Sequence, residues 1–317
     1  DANLMKVEAG SVSMENSTFL ANPNGSIQLG SDSNPLTSFA LDRQQPSVGN
    51  SNGAIVARGG SIEINAENTS ISTTNIDYAI LATSVDVSNT STSDESYRNK
   101  TSQININSGN LPVNGNIGAT PTSYNTKQDI TNDTKAPIGM SQIINLNTTG
   151  KTEINGDIIT INTITKSNDT DPGTVSNASI NVSLNTSDSV LNGAVIDQYG
   201  DKWSEQAPTT ASSDSQGTTL IMNNGATWNV KDAKVAQLDE TGAPIRDDNG
   251  NIMTKSVSNA VKTITSSNST INNTTNAQIQ VGTLKTESGE TTYNTTHTDE
   301  GQLSIGSRQG DGTLRVN

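Results

Sequence analysis

Three groups of residues have the types and spacing that could do chemistry. The carboxylate pairs Asp169/Asp171 and Asp247/Asp248 could supply the acid and base of glycoside cleavage, which needs two carboxyl groups at the proper separation across the scissile bond. His297, the only histidine, has Asp299 two residues on and could carry a proton. The turn "SNDTDPG", residues 167–173, gathers hard oxygen side chains suited to calcium, although it has neither EF-hand spacing nor a nonapeptide calcium repeat. All three lie in polar runs rich in turn formers, so each reads as solvated loop. No catalytic, metal or cofactor role is assigned to them. No G-D-S-G stretch accompanies the histidine, and the absence of cysteine removes thiolate nucleophiles, thiolate metal sites and disulfides together. The expectation is a protein without catalytic activity.

Binding is the better-supported chemistry. Tyr97, Tyr124, Tyr199, Trp203 and Tyr293 fall in polar runs where a soluble loop has little structural need for a large ring, and aromatic rings are favoured contact residues. These five are the candidate binding residues. Trp228, in "TTLIMNNGATWNV", reads instead as a filler of the interior.

The elements that position these residues follow from composition and period. Only 30% of the 317 residues are hydrophobic and 3% aromatic, too few for a conventional compact core. Asn, Ser and Thr make up roughly two-fifths of the chain, a bias that signals disorder unless the polar side chains serve a regular architecture. Isolated Ile, Val and Leu in x-I-x-I alternation argue for strands. The net charge of −14 repels phosphate backbones and anionic lipid, so nucleic acid is excluded as a partner. No stretch approaches the ~20 apolar residues of a membrane helix, so membrane insertion is not expected either. A start at Asp1-Ala2-Asn3, without initiator Met or signal peptide, fits a mature or excised fragment.

The strand-like pieces recur. Taking the last apolar residue of each copy's first strand gives Leu29, Ile64, Ile106, Leu146, Leu184, Met222, Ile264 and Ile305, a period of about forty residues. These eight are the predicted core stack. Asn65, Asn107, Asn147, Asn185 and Asn223 each follow their anchor directly, and Asn114-Gly115, Asn155-Gly156 and Asn192-Gly193 close the second strand; both residue types accept left-handed backbone angles at a corner. Asn at equivalent corners can also stack into amide ladders. Strand, corner, strand, corner, strand, repeated along an axis, describes an all-β parallel β-helix of three-strand coils. Residues 1–25 read as a cap or first turn, and 26–317 as the β-helix. The surplus over one coil falls in residues 88–102, 119–141, 165–178, 197–217, 239–260 and 285–300, expected as long loop or hairpin insertions at one corner. Asp248-Asn249-Gly250, between "PIR" and "NIM", predicts that one of them is a protruding hairpin.

"TTLIMNNGATWNV" and "INVSLNTSDSVLNGAV" resemble rungs of bacterial type V autotransporter passenger domains, especially the self-associating adhesins. The resemblance spans residues 26–317 and is clearest from 100 to 231. It implies a right-handed β-helix displayed on the extracellular face of the bacterial outer membrane. It also implies a role in adhesion, aggregation and biofilm formation, with partners that are host or partner-cell proteins or glycans, or other copies of the passenger. The family's signal peptide and C-terminal membrane barrel are missing here, as they would be from a passenger fragment. Two other readings stand beside it: a polysaccharide-processing β-helical lyase or hydrolase, and a spacer stalk.

Overall fold

The computed structural model describes residues 5–7, 18–20, 26–29, 53–58, 61–73, 78–83, 101–120, 141–162, 164–165, 174–175, 177–199, 202–203, 217–237, 239, 245–275, 277–296 and 302–317. Those residues form strands, turns and no helix, and nearly all strand pairs are parallel.

Two sheets carry the architecture. The smaller stacks Met5–Val7, Gly53–Arg58, Tyr78–Thr83, Ile117–Thr120, Ile158–Asn162 and Val195–Tyr199 in chain order, all parallel, and ends in the short antiparallel Lys202–Trp203. In the larger, Thr18–Leu20 and Ser26–Leu29 both pair with Ser61–Ser72. Then follow Thr101–Asn114, Ser141–Thr148 with Thr152–Asn155, Asn177–Leu184 with Val190–Gly193, and Gly217–Asn223 with Thr227–Val230. Asn259–Asn273, Ile279–Thr295, and Leu303–Gln309 with Thr313–Val316 complete it. Each unit therefore places two strand segments, one on either side of a corner, against the same segments of the next unit.

Alternation sets what points inward. Along Thr101–Asn114, Ile104, Ile106, Leu111 and Val113 are buried while Asn105, Asn107 and Asn114 face outward, the period of two that a strand imposes. Three apolar columns result. Ile64, Ile106, Leu146, Val182, Leu220, Ile264 and Leu284 are successive partners in the first. Ile71, Val113, Ile154, Leu191, Trp228, Ile271 and Tyr293 form the second, beyond the corner. Ile55, Ile80, Ile117, Ile158 and Val195 of the small sheet form the third. All three meet in one continuous buried cluster. Few apolar residues per unit suffice because each is covered above, below and across.

Four of the eight predicted anchors lie outside the column to which they were assigned. Leu184 and Met222 pair with each other, but two positions past that column, and Met222 faces Ser266 while Leu220 faces Ile264. Leu29 is in register with Ile71 of the second column, not with Ile64 of the first. Ile305 pairs with Val281 and is only partly buried. The cause is the corner, whose length varies: Ile106 to Val113 takes seven positions, Leu146 to Ile154 eight, Val182 to Leu191 nine. The last apolar residue before a turn marks where a strand ends, not which residues lie opposite.

Long segments leave after the small-sheet strands or, in the unit of Gly217–Asn223 and Thr227–Val230, directly after the second large-sheet strand, and the chain then returns to the large sheet. Three begin as antiparallel pairs: Ile164–Thr165 with Thr174–Val175, Tyr199 with Lys202, and Ala233–Ala236 with Thr254–Val257. The last is the hairpin expected from Asp248-Asn249-Gly250. Arg246 bridges Ile252 near its tip, and Gly250 turns the chain at φ 82. Its stem, through Ala233 and Val235, packs on Ala194 and Ile196 across the outer face of the small sheet. Asn259 marks the re-entry to the large sheet; buried, it accepts the Val195 N–H at 2.8 Å and donates to the Lys231 carbonyl at 3.0 Å.

The expected insertion at 285–300 is not a loop over its first part. Residues 285–295 belong to the strand Ile279–Thr295, and the partner of Ile264, Leu284, comes only twenty residues later. The final units thus drop both the small-sheet strand and the insertion.

Candidate interaction surface

The outward faces of the large sheet carry rows of amides. In the longest, Asn155 donates to Asn114, Asn192 to Asn155, Asn229 to Asn192, Asn272 to Asn229, Asn294 to Asn272 and Asn317 to Asn294, each Nδ2 to Oδ1 at 2.7–3.0 Å. Asn114 in turn lies 3.4 Å from Ser72 Oγ. Asn114 to Asn294 in this row each follow an inward residue of the second column, Val113, Ile154, Leu191, Trp228, Ile271 and Tyr293, and Asn317 follows Val316, which pairs with Tyr293 but is exposed at the end of the stack. The position before holds Pro112, Glu153, Val190, Thr227, Thr270, Thr292 and Arg315, which also stack on one another. Before the corner, Asn105, Asn145 and Asn181 make a second ladder. Asn65, Asn107 and Asn147 make a third, and Asn185 with Asn223 a fourth. The third breaks at Asn185, whose Nδ2 turns to the Thr148 carbonyl at 2.6 Å where the corner lengthens.

Ladder bonds use one N–H and one lone pair of each amide. The second N–H and lone pair remain for neighbours or for a partner: Asn155 Nδ2 also donates to Glu153 Oε1 at 3.3 Å and Asn105 Oδ1 also accepts from Gln103 Nε2 at 3.2 Å, while the amides themselves repeat about every 4.8 Å along the stack. Chained amides polarise one another and lose their rotamer freedom on folding, which lowers the ordering cost of a later contact.

Glycine at the corners has another role from the one expected. Asn114, Asn155 and Asn192 are not left-handed; among the described residues, the non-glycine ones with positive φ are Asn224 and Asn268. Gly115 has φ 129, but Gly156 and Gly193 are needed for close approach, because a Cβ there would stand 2.2 Å from the Gly115 carbonyl oxygen and 1.9 Å from that of Gly156.

The second corner is capped by side chains that accept from the next unit: Asn116 Oδ1 from the Asp157 N–H at 2.9 Å, and Asp157 Oδ1 from the Ala194 N–H at 2.8 Å. Burial pushes the Asp157 carboxyl above its ordinary value, against the opposing effect of the Ala194 N–H.

The predicted site residues divide. Tyr97, Tyr124, His297, Asp169 and Asp171 lie outside the described residues. The backbones of Tyr199 and Trp203 sit together in the short antiparallel pair at the head of one insertion. Tyr293, read as a loop ring, is instead a core residue at 3% exposure, with its hydroxyl accepting from Asn273 Nδ2 at 3.0 Å. Trp228 is fully buried and its indole N–H donates to the Gly193 carbonyl at 2.9 Å. Asp247 organises the hairpin tip: its carboxylate accepts the Asn251 side-chain amide and the N–H groups of Asn251 and Asn249. Those bonds, the Asn251 side chain first, hold its carboxyl below the usual range, which suits a turn-forming carboxylate and not a proton donor. Ile252 and Met253, about two-fifths exposed, stand on the returning arm of the same hairpin.

The ladder runs beyond the corners Asn114, Asn155 and Asn192 expected from the sequence, and its signal is present along the chain: a Φ-Asn pair recurs as V-N, I-N, L-N, W-N, I-N, Y-N and V-N. Compared with protein-family models, curated proteins and solved structures, the chain matches none.

Proposed function

We propose that the chain is a right-handed parallel β-helix of the adhesin type, displayed on the outer surface of a bacterium and holding cells to one another and to partner surfaces. Consecutive units that pair in parallel and share three apolar columns support the helix, and the handedness follows from the near-universal preference of parallel crossovers. The observation that carries the function is the unbroken Asn114–Asn317 ladder. A rigid, uncharged, repeating strip of paired donors and acceptors suits many weak contacts summed over length, and two antiparallel copies would satisfy each other's strips reciprocally. Partner proteins or glycans engage the same faces or the insertions. Catalysis has no part in this reading.

Mixed-cell settling tests it. Cells displaying the chain, labelled in one colour, are mixed with bare cells in another. The reading expects clumps of displaying cells that exclude the bare ones, and attachment of displaying cells to host-cell layers. Neither clumping nor attachment would leave the spacer stalk as the better account.

A further inference from the structure

Five Asn-Gly pairs fall among the described residues, and the fold treats one of them differently. Asn114, Asn155 and Asn192 are held in the amide ladder, and the amide nitrogens of Gly115 and Gly156 are engaged by the carbonyls of Asn155 and Asn192 in the next unit. Asn224 donates to the Asn185 carbonyl while the Gly225 N–H binds that of Asn268. Asn249 is exposed at the hairpin tip, and its side-chain amide has no hydrogen-bond partner among the described residues. The Gly250 N–H makes only the local turn bond to the Asp247 carbonyl, and a Cβ at Gly250 would meet nothing within 4 Å.

We propose that Asn249 is a self-modifying site that deamidates in the folded protein while the other four stay intact. The Gly250 amide nitrogen attacks Asn249 Cγ. An N–Cγ bond forms, the Cγ–Nδ2 bond breaks, and ammonia leaves with the proton given up by the glycine nitrogen. Water then opens the succinimide at either carbonyl, giving aspartate or isoaspartate with no change of oxidation state. A glycine nitrogen is the least hindered nucleophile for this step, and a tip joined by single turn bonds opens far more often than a sheet. The product adds a negative charge beside Asp247 and Asp248, and the isoaspartate form lengthens the turn backbone by one carbon, next to exposed Ile252 and Met253.

Peptide mapping of the 317-residue chain, incubated at mildly alkaline pH folded and in denaturant, tests this. In the folded protein, isoaspartate and aspartate should accumulate at Asn249 at least about tenfold faster than at Asn114, Asn155, Asn192 or Asn224, because each of those must first break a structural hydrogen bond. In denaturant the five rates should converge, and Asn249→Gln should abolish the folded-state signal at that peptide. Equal rates at all five in the folded protein, or an intact Asn249 beside denatured chains that convert, would overturn the proposal.

Discussion

Asn229 donates through Nδ2 to Oδ1 of Asn192 at 2.7 Å, although thirty-seven residues separate them in the chain. The same amide accepts from Asn272 at 3.0 Å, so one side chain ties three units together. Asn229→Asp removes the donor and sets a carboxylate against the Asn192 acceptor, at an expected cost of about 1–3 kcal/mol near neutral pH. That environment raises the new carboxyl's pKa above its unfolded value. Its penalty should therefore be absent at pH below the unfolded value and appear in full as pH rises past the folded one. Thermal melts of the two proteins across pH 3–7 would show the gap opening upward.

Trp228 fills the second column and its indole N–H satisfies the Gly193 carbonyl at 2.9 Å. Trp228→Ala should lose about 3–5 kcal/mol, the range for emptying a large aromatic site. Chemical denaturation would check it; a loss under about 1 kcal/mol would mean the site collapses without a cavity.

Close approach and backbone angle can be separated at two glycines. Gly156→Ala would drive a methyl to 2.2 Å from the Gly115 oxygen, which is backbone, so the stack must shift at a cost of about 1–3 kcal/mol or more. Gly250→Ala meets nothing within 4 Å and pays only for its φ of 82, about 1 kcal/mol. Melting temperatures should fall in that order.

Asp157 gives the wild-type protein a pH signature. Its folded pKa is raised by burial above the ordinary 3.8, so the associated stability is fully present below that value and is lost as pH rises through the folded pKa. Asp157→Asn keeps an oxygen for the Ala194 N–H and should flatten this limb, leaving the variant more stable than the parent at neutral pH. Equal pH profiles would contradict the assignment.

Which parts of the molecule can be read from its sequence depends on how local the determinant is. Alternation around Ile104 and Ile106 shows the strands, and Asp248-Asn249-Gly250 shows the hairpin, because both are decided within a few residues. The pairing of Leu220 with Ile264 is decided by corner lengths that no local pattern reports. Tyr293 looks like a loop ring because its neighbours are polar, yet alternation continues through "TTYNT" and carries the ring inward. The Asn ladder was legible in part: the amides were visible at Asn114, Asn155 and Asn192, but their partners lie a full unit away.

Contacts through the insertions and contacts through the ladder face should separate. Substituting Tyr199 and Trp203 together with Ala is expected to weaken attachment to host cells more than clumping, since both sit at the head of one insertion. Attachment and settling scored on the same displaying cells would show whether the two behaviours divide.

The most direct test changes only the outer row beside the ladder. Thr227 and Thr292 stack through Thr270 between them, about 10 Å apart, so Thr227→Glu with Thr292→Glu adds two charges without placing them on neighbouring strands. Settling of cells displaying this variant, with its fold verified by melting, is measured at low and high salt. The account predicts that clumping is lost at low ionic strength and returns in part as salt screens the repulsion between facing copies. A correctly folded variant that settles like the parent at every salt concentration would contradict it.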